Sequence, residues 1–254
     1  MSIPLYRLVN TETQLSEAIA YIVYTSTICK LEPLFVSIAG SKLCRNGSIS
    51  LVQVFIPRLN VLFIIDISVL GERAFSVEGS GQTFKQILES PEIEKVFFDV
   101  RNSSGALHSL YGIRLSGVHD LQLLELATCH DKSRVHSLYK CVQESAELSK
   151  EKRRRWMNSR NMVSRLYTPK NGAGFQILEE RPLAEDIKVY CAQNVLVLPD
   201  LWEEYRNRLS SGSEWIDATL ATADRIAHSQ LDNFVGIGPH MSLGPLKWQV
   251  AVGD

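Results

Sequence analysis

The densest run of chemically capable side chains is a segment in which Lys150, Lys152, Arg153, Arg154, Arg155, Arg160 and Arg165 surround Trp156. Cations interleaved with an aromatic ring can hold a nucleic-acid backbone and stack a base. The same run also reads as a solvated helix face. Tyr190 and Asn194 lie four residues apart, one face of a helix. Ser37 and Ala39 lie two apart in an apolar run, where strand alternation turns both side chains to one sheet face. His108 follows Gly105 by about one helical turn and is a candidate acid–base group. His119, His130, His136, His228 and His240 show neither metal-ligand nor triad spacing. The five cysteines, Cys29, Cys44, Cys129, Cys141 and Cys191, are scattered and form no CxxC pair. That pattern indicates reduced thiols and neither a disulfide framework nor a zinc site. Ser104-Gly105 and Gly172-Ala173-Gly174 fall outside any strand–glycine loop–helix fingerprint, so no phosphate loop is expected.

The elements that must position these groups follow from periodicity. Thr11 or Thr13 can cap a helix over 14–24, with Leu15, Ala18, Ile19 and Ile22 on one face. Three apolar runs, 34–40, 48–55 and 61–67, are separated by turn-forming stretches and predict an antiparallel meander. The pattern then alternates: helix over 83–88, buried strand over 95–100, helix over 104–111, a short strand at 118–120 and a helix over 121–127. From Val135 onward the chain reads as helical, including 182–208 with Pro182 in the first turn. A helix over 214–228 precedes a Gly/Pro-rich tail. A meander followed by alternating strands and helices predicts an α/β fold, a mixed sheet with helices on both faces and a helical C-terminal part. No internal repeat or low-complexity linker divides the chain, so one domain over 1–254 is expected, its core at about 30–210.

Composition narrows the function classes. Of 254 residues, 45% are hydrophobic and the formal net charge is −1, so no global positive field marks a nucleic-acid binder. The N-terminal segment has no apolar run behind basic residues, and the longest apolar stretch, 61–65, is only a strand's length. A soluble intracellular protein, cytoplasmic or nuclear and without a membrane partner, is expected.

Several strings, in order, resemble the DEDD-type 3′–5′ exonucleases, with their ribonuclease H-like fold. These include SISLVQVFIP, KVFFDVRNSSGAL, YGIRLSGVHDLQLLELAT, ERPLAEDIKVYCAQNVLVLPDLWEEY and HMSLGPLKW. The pattern is most similar to ribonuclease D and the Egalitarian/EXD-like branch, including its stand-alone fungal members. Such enzymes hold two divalent metals about 3.5–4 Å apart on carboxylates. The resemblance supplies these acids from Asp-x-Glu on the first strand, an Asp near the start of a helix, and Tyr-x-x-x-Asp on a later helix. In this sequence Ser37 and Ala39 stand at the first pair, Gly105 at the second-motif Asp and Asn194 at the third, while Tyr190 is retained. Asp99 and Asp120 match scaffold positions and are not read as replacement ligands.

The resemblance therefore implies an exonuclease fold without its metal ligands, binding neither metal nor another cofactor. The leading expectation is a non-cleaving domain that binds single-stranded nucleic acid or a protein partner. Ser37, Tyr190, Asn194, Arg153, Arg154 and Arg155 are then the candidate ligand-binding residues. An alternative is a metal-independent enzyme acting on a small molecule in the vacated pocket, floored by Ser37, Ala39 and Gly105, with His108 nearby. Residual 3′–5′ exonuclease activity is the weaker alternative.

Overall fold

A computed structural model of the chain describes residues 5–28, 32–166 and 175–249. β1 (Leu5–Val9) is followed by α1 (Glu12–Val23), whose first turn is capped by the Thr11 hydroxyl accepting from the Gln14 amide. Its apolar face buries Leu15, Ala18, Ile19 and Ile22, as the spacing predicts. β2 (Leu34–Ala39), β3 (Leu51–Ile56) and β4 (Val61–Asp66) form the expected meander. All six residues of both β3 and β4 are buried, because helices cover the sheet on both sides.

Two short helices, α2 (Ile67–Leu70) and α3 (Arg73–Ser76), and a small hairpin of β5 (Glu78–Gly79) and β6 (Gln82–Thr83) lead into α4 (Phe84–Glu89). The alternating portion continues with β7 (Lys95–Phe97), α5 (Val100–Tyr111), β8 (Val118–Asp120) and α6 (Leu121–Ala127). The helical part comprises α7 (Leu138–Glu144), α8 (Lys150–Leu166), α9 (Glu185–Leu196), α10 (Leu198–Arg208), α11 (Gly212–Ser229) and α12 (Leu246–Gln249). The main sheet has the order β1-β4-β3-β2-β7-β8, antiparallel within the meander and parallel at β1–β4, β2–β7 and β7–β8. One apolar layer packs α1, α4 and α5 on one sheet face; the other packs α6, α8, α9 and α10 on the opposite face.

Several boundaries differ from the sequence reading: the strand expected from 48 begins at Leu51, and the helix expected from 182 begins at Glu185, leaving Pro182 ahead of its first turn. β1 was not expected; it adds a parallel edge strand beside β4. The strand over 95–100 stops at Phe97 and α5 starts at Val100, four residues early, because Asp99 adopts a left-handed backbone, φ +54°, that ends the extended run. The helix over 182–208 is two helices, interrupted at Val197 ahead of Pro199.

The early start of α5 has a buried electrostatic cause. Asp120, fully buried at the end of β8, accepts hydrogen bonds from the amides of Asp99 (2.9 Å), Val100 (3.2 Å) and Gln122 (3.1 Å). One carboxylate thus serves the N-terminal ends of both α5 and α6, where unsatisfied amides and the helix dipole favour an anion. Arg225 of α11 pairs with the same carboxylate at 2.6 Å, its side chain only 9% exposed. Removing one partner of such a buried pair strands the other charge. Arg225→Ala is therefore expected to cost about 3–5 kcal/mol in urea unfolding.

Beside this junction, His119 of β8 packs between Trp202 (ring centroids 5.2 Å) and Trp215 (5.0 Å), with Glu94 at 3.7 Å. Burial pulls its pKa below the ordinary histidine value despite the nearby Glu94 carboxylate. The fold therefore prefers neutral His119. Its contribution is fully present above the unfolded value of about 6.5 and is lost as pH falls through the depressed folded pKa. Urea midpoints taken between pH 7 and pH 5 are expected to fall less steeply in His119→Gln than in the unaltered chain.

Candidate nucleic-acid cleft

The alternation of β2 is visible in its burial: Val36 and Ile38 enter the core, while Ser37 and Ala39 are half-buried on the opposite face. α9 crosses that face and brings Tyr190 and Asn194 to the same place. These four residues line one cleft of about 330 Å³, walled on the far side by Arg160, Val163 and Ser164 of α8. Among the described residues lining the cleft, Arg160 is the only charged one, and none is an acid, histidine or cysteine.

Two anchors set the cleft walls. The segment entering α9 is held by Arg181, which donates through Nε (2.6 Å) and its terminal nitrogen to the buried Asp66 carboxylate at the end of β4. Arg181 also donates to the carbonyls of Leu178 (2.9 Å) and Glu180 (2.8 Å). α8 is seated by Trp156, which is fully buried, and by Lys152 bonding Asp200 at 2.7 Å. Arg160, one turn after Trp156, lies over that ring at 5.3 Å and over Tyr139 at 5.8 Å. Stacking fixes the guanidinium plane without consuming its hydrogen-bond donors. Burial pushes the Cys191 thiol, next to Tyr190, up to about 12, so it packs as an apolar group.

The basic segment divides by role. Arg153 donates to the carbonyls of Val142, Ser145 and Leu148, closing the C-terminal end of α7. Arg155 pairs with Glu151 one turn earlier, and Arg154 is exposed. None of these three lines the cleft; Arg160 does. Arg160 belongs to the segment singled out in the sequence, yet only helix phase separates it from the outward-facing cations.

Gly105 and His108 are not brought to this cleft. Gly105 is buried beneath the end of α11: a Cβ there would lie 2.9 Å from the Ser229 carbonyl oxygen and 3.8 Å from the Phe234 ring. The segment after α11 is stitched to α5. Asn102 donates to the Gly236 carbonyl (3.0 Å), Gln230 to the Ser104 hydroxyl (3.3 Å), and Arg101 to the Met241 carbonyl (2.8 Å). His108 faces the same segment. Asp232 is held below the usual carboxylate range first by its bond from Arg45, with His108 adding a smaller effect. The pocket floor expected from Ser37, Ala39 and Gly105 is therefore formed without Gly105. Asp99 and Asp120 are committed elsewhere, Asp99 to Arg101 (2.6 and 2.7 Å) and Asp120 to the helix ends.

One polar residue escaped the sequence reading. Gln53 stands directly opposite Ser37 in the β2–β3 register, is fully buried, and has no hydrogen-bond partner among the described residues on either side-chain amide atom. A lone Gln in the apolar run LVQVFI was the available signal.

The model of the 3′–5′ exonuclease family matches residues 42–210, two thirds of the chain. The chain belongs to the 3′–5′ exonuclease family. The matched segment begins just after β2 and includes the helices carrying Gly105, Tyr190 and Asn194. The mouse piRNA biogenesis protein EXD1 is 34% identical over 99 residues, and its human counterpart 36% over 99. These stretches cover 39% of this chain but only 16% and 18% of those proteins. Ribonuclease D of Trypanosoma brucei, solved with GMP, superposes with a TM-score of 0.70 at 19% identity, covering 97% of this chain and 71% of that one. Escherichia coli ribonuclease D gives 0.57 at 17% identity, covering 89% and 51%. The exonuclease domain thus falls in the ribonuclease D/EXD branch of the DEDD exonucleases.

The positions that the resemblance aligns with metal-binding acids differ in the space around them. Gly105→Asp places a carboxylate against a backbone carbonyl and is expected to cost at least about 2 kcal/mol through overpacking and an unpaired buried charge. Ala39→Glu, at the open cleft, is expected to cost less than about 1 kcal/mol. Urea unfolding of the two variants checks the contrast.

Proposed function

We propose that this exonuclease domain binds a single-stranded nucleic-acid end in its cleft without cutting it. One observation carries the reading: a cleft lined by Ser37, Ala39, Tyr190 and Asn194 in which, among the described residues, Arg160 alone is charged. Two-metal hydrolysis requires several carboxylates around a pair of hard cations. Ser37 and Ala39 supply no anionic ligand, Asn194 supplies only a neutral carbonyl, and Gly105 lies under the Ser229 carbonyl. A phosphate entering such a cleft meets Arg160 directly, with the hydroxyls of Ser37 and Tyr190 and the Asn194 amide as neutral donors. Ribonuclease D of Trypanosoma brucei, which shares the fold, has been solved in complex with RNA U12. A metal-independent enzyme is less well supported, since the described lining residues pair no nucleophile with a base.

The test is fluorescence anisotropy with a short single-stranded RNA, and with DNA of the same sequence, over a salt series. Binding is expected to weaken as salt rises. Arg160→Ala, which removes a charge-assisted bond of about 1.5–3 kcal/mol, is expected to weaken binding at least about tenfold. The RNA is expected to remain intact with Mg²⁺, with Mn²⁺ and with chelator alike. Metal-dependent release of nucleotides from the 3′ end, or no binding at low salt, overturns the proposal.

A further inference from the structure

We propose that Glu125, Cys129 and His136 form a zinc site, separate from the cleft, that joins the end of α6 to the following segment. None of the three lines the cleft. Each offers one ligand atom, and the three atoms all lie within 4.8 Å of one another. Cys129 Sγ is 3.2 Å from Glu125 Oε1, and His136 Nδ1 is 2.9 Å from the same oxygen. Zinc–ligand bonds of about 2.0–2.3 Å in a tetrahedron place neighbouring ligand atoms about 3.3–3.7 Å apart. Both contacts to Glu125 therefore need to open by only a few tenths of an ångström to admit the ion, while Cys129 Sγ and His136 Nδ1 already lie within 4.8 Å of each other.

The scaffold explains why these residues meet although their spacing in the sequence gave no metal signal. Glu125 lies in the last turn of α6, and Cys129 follows one turn later. The amides of Thr128 and Cys129 bond back to the Glu125 and Leu126 carbonyls at 3.0 Å each, carrying the helical course past Ala127. His136 is returned to the helix by Gln122, whose amide nitrogen donates to the His136 carbonyl at 2.9 Å. Val135 is tied to the C-terminal segment through its amide and the Ser242 carbonyl at 3.0 Å.

A second observation points to a ligand. Glu125 is buried, only 6% exposed, and among the described residues its Oε2 has no hydrogen-bond partner. A buried carboxylate oxygen without a donor is costly unless a cation completes it. Thiolate, imidazole and carboxylate together suit zinc, whereas magnesium and calcium take oxygen ligands. With three protein ligands the fourth position falls to water, and the half-exposed His136 and Cys129 leave an entry path. Lys140 Nζ, now 2.7 Å from His136 Nε2, must turn away when that nitrogen carries the proton; Glu144, 4.0 Å from the same amine, is its alternative partner.

The test uses the full chain, reduced and stripped with chelator, then titrated with zinc and, separately, with cobalt(II). The expected result is one zinc per chain and a four-coordinate cobalt spectrum with a thiolate-to-metal charge-transfer band. Loss of an outer partner alone costs about 10–100-fold in metal affinity, so Cys129→Ser and His136→Ala are each expected to weaken binding about 100-fold or more. Both positions are half-exposed, and circular dichroism checks that the variants remain folded. Cys44→Ser, a free cysteine elsewhere, is expected to bind as the unaltered chain does. Zinc is expected to raise the Tm of the unaltered chain and not that of Cys129→Ser. A cobalt spectrum lacking the thiolate band, or zinc binding unchanged in Cys129→Ser, overturns the site.

Discussion

The buried carboxylate of Asp120 is the constraint around which this exonuclease fold is arranged. It sits at the end of β8, where two helices begin within a few ångströms, and its oxygens satisfy amides from both. A neutral residue there leaves donors of two helix ends unpaired in the core. An unpaired anion there is equally unfavourable, and this is what brings Arg225 inward from α11. Satisfying one charge thereby recruits a helix more than a hundred residues away. With α11 in place, the chain that follows it is laid across α5, so the cover over Gly105 descends from the same electrostatic requirement.

A comparable logic sets the cleft. Active two-metal sites concentrate negative charge and need cations before they are stable, because converging carboxylates repel one another. Here the described lining residues are neutral apart from Arg160, and a pocket of that kind needs no ion to hold it open. Its walls depend instead on the Arg181–Asp66 pair beneath α9 and on the stacked Trp156, Arg160 and Tyr139 of the opposite side. The polar contacts that keep the cleft in shape are buried in its supports.

Much of this was legible in the sequence. The meander, the alternating β7–α5–β8–α6 portion and the convergence of Ser37, Ala39, Tyr190 and Asn194 all follow from period-two and period-3.6 patterns and the family resemblance. What periodicity cannot carry is long-range placement. The strand at Leu5–Val9 is short and becomes a strand because β4 offers it an edge. Arg153 and Arg160 are indistinguishable by composition, and only their surroundings turn one to backbone carbonyls and the other to the cleft. Glu125 and His136 are separated by a helix end and a loop, so their meeting depends on how that loop folds back. The position of Gly105 turns on α11, which no local pattern around residue 105 could announce.

The packing above Gly105 also bears on the substitutions open to this chain. A glycine on an accessible surface can be exchanged for an acid and back again by single substitutions. At this position an acid meets the Ser229 carbonyl, and the overlying segment is fastened by Asn102, Ser104 and Arg101. An acid fits only if the end of α11 and the stretch through Gly236 are repacked. The C-terminal cover acts as a threshold: residue 105 admits a side chain only together with a rearrangement of everything laid over it.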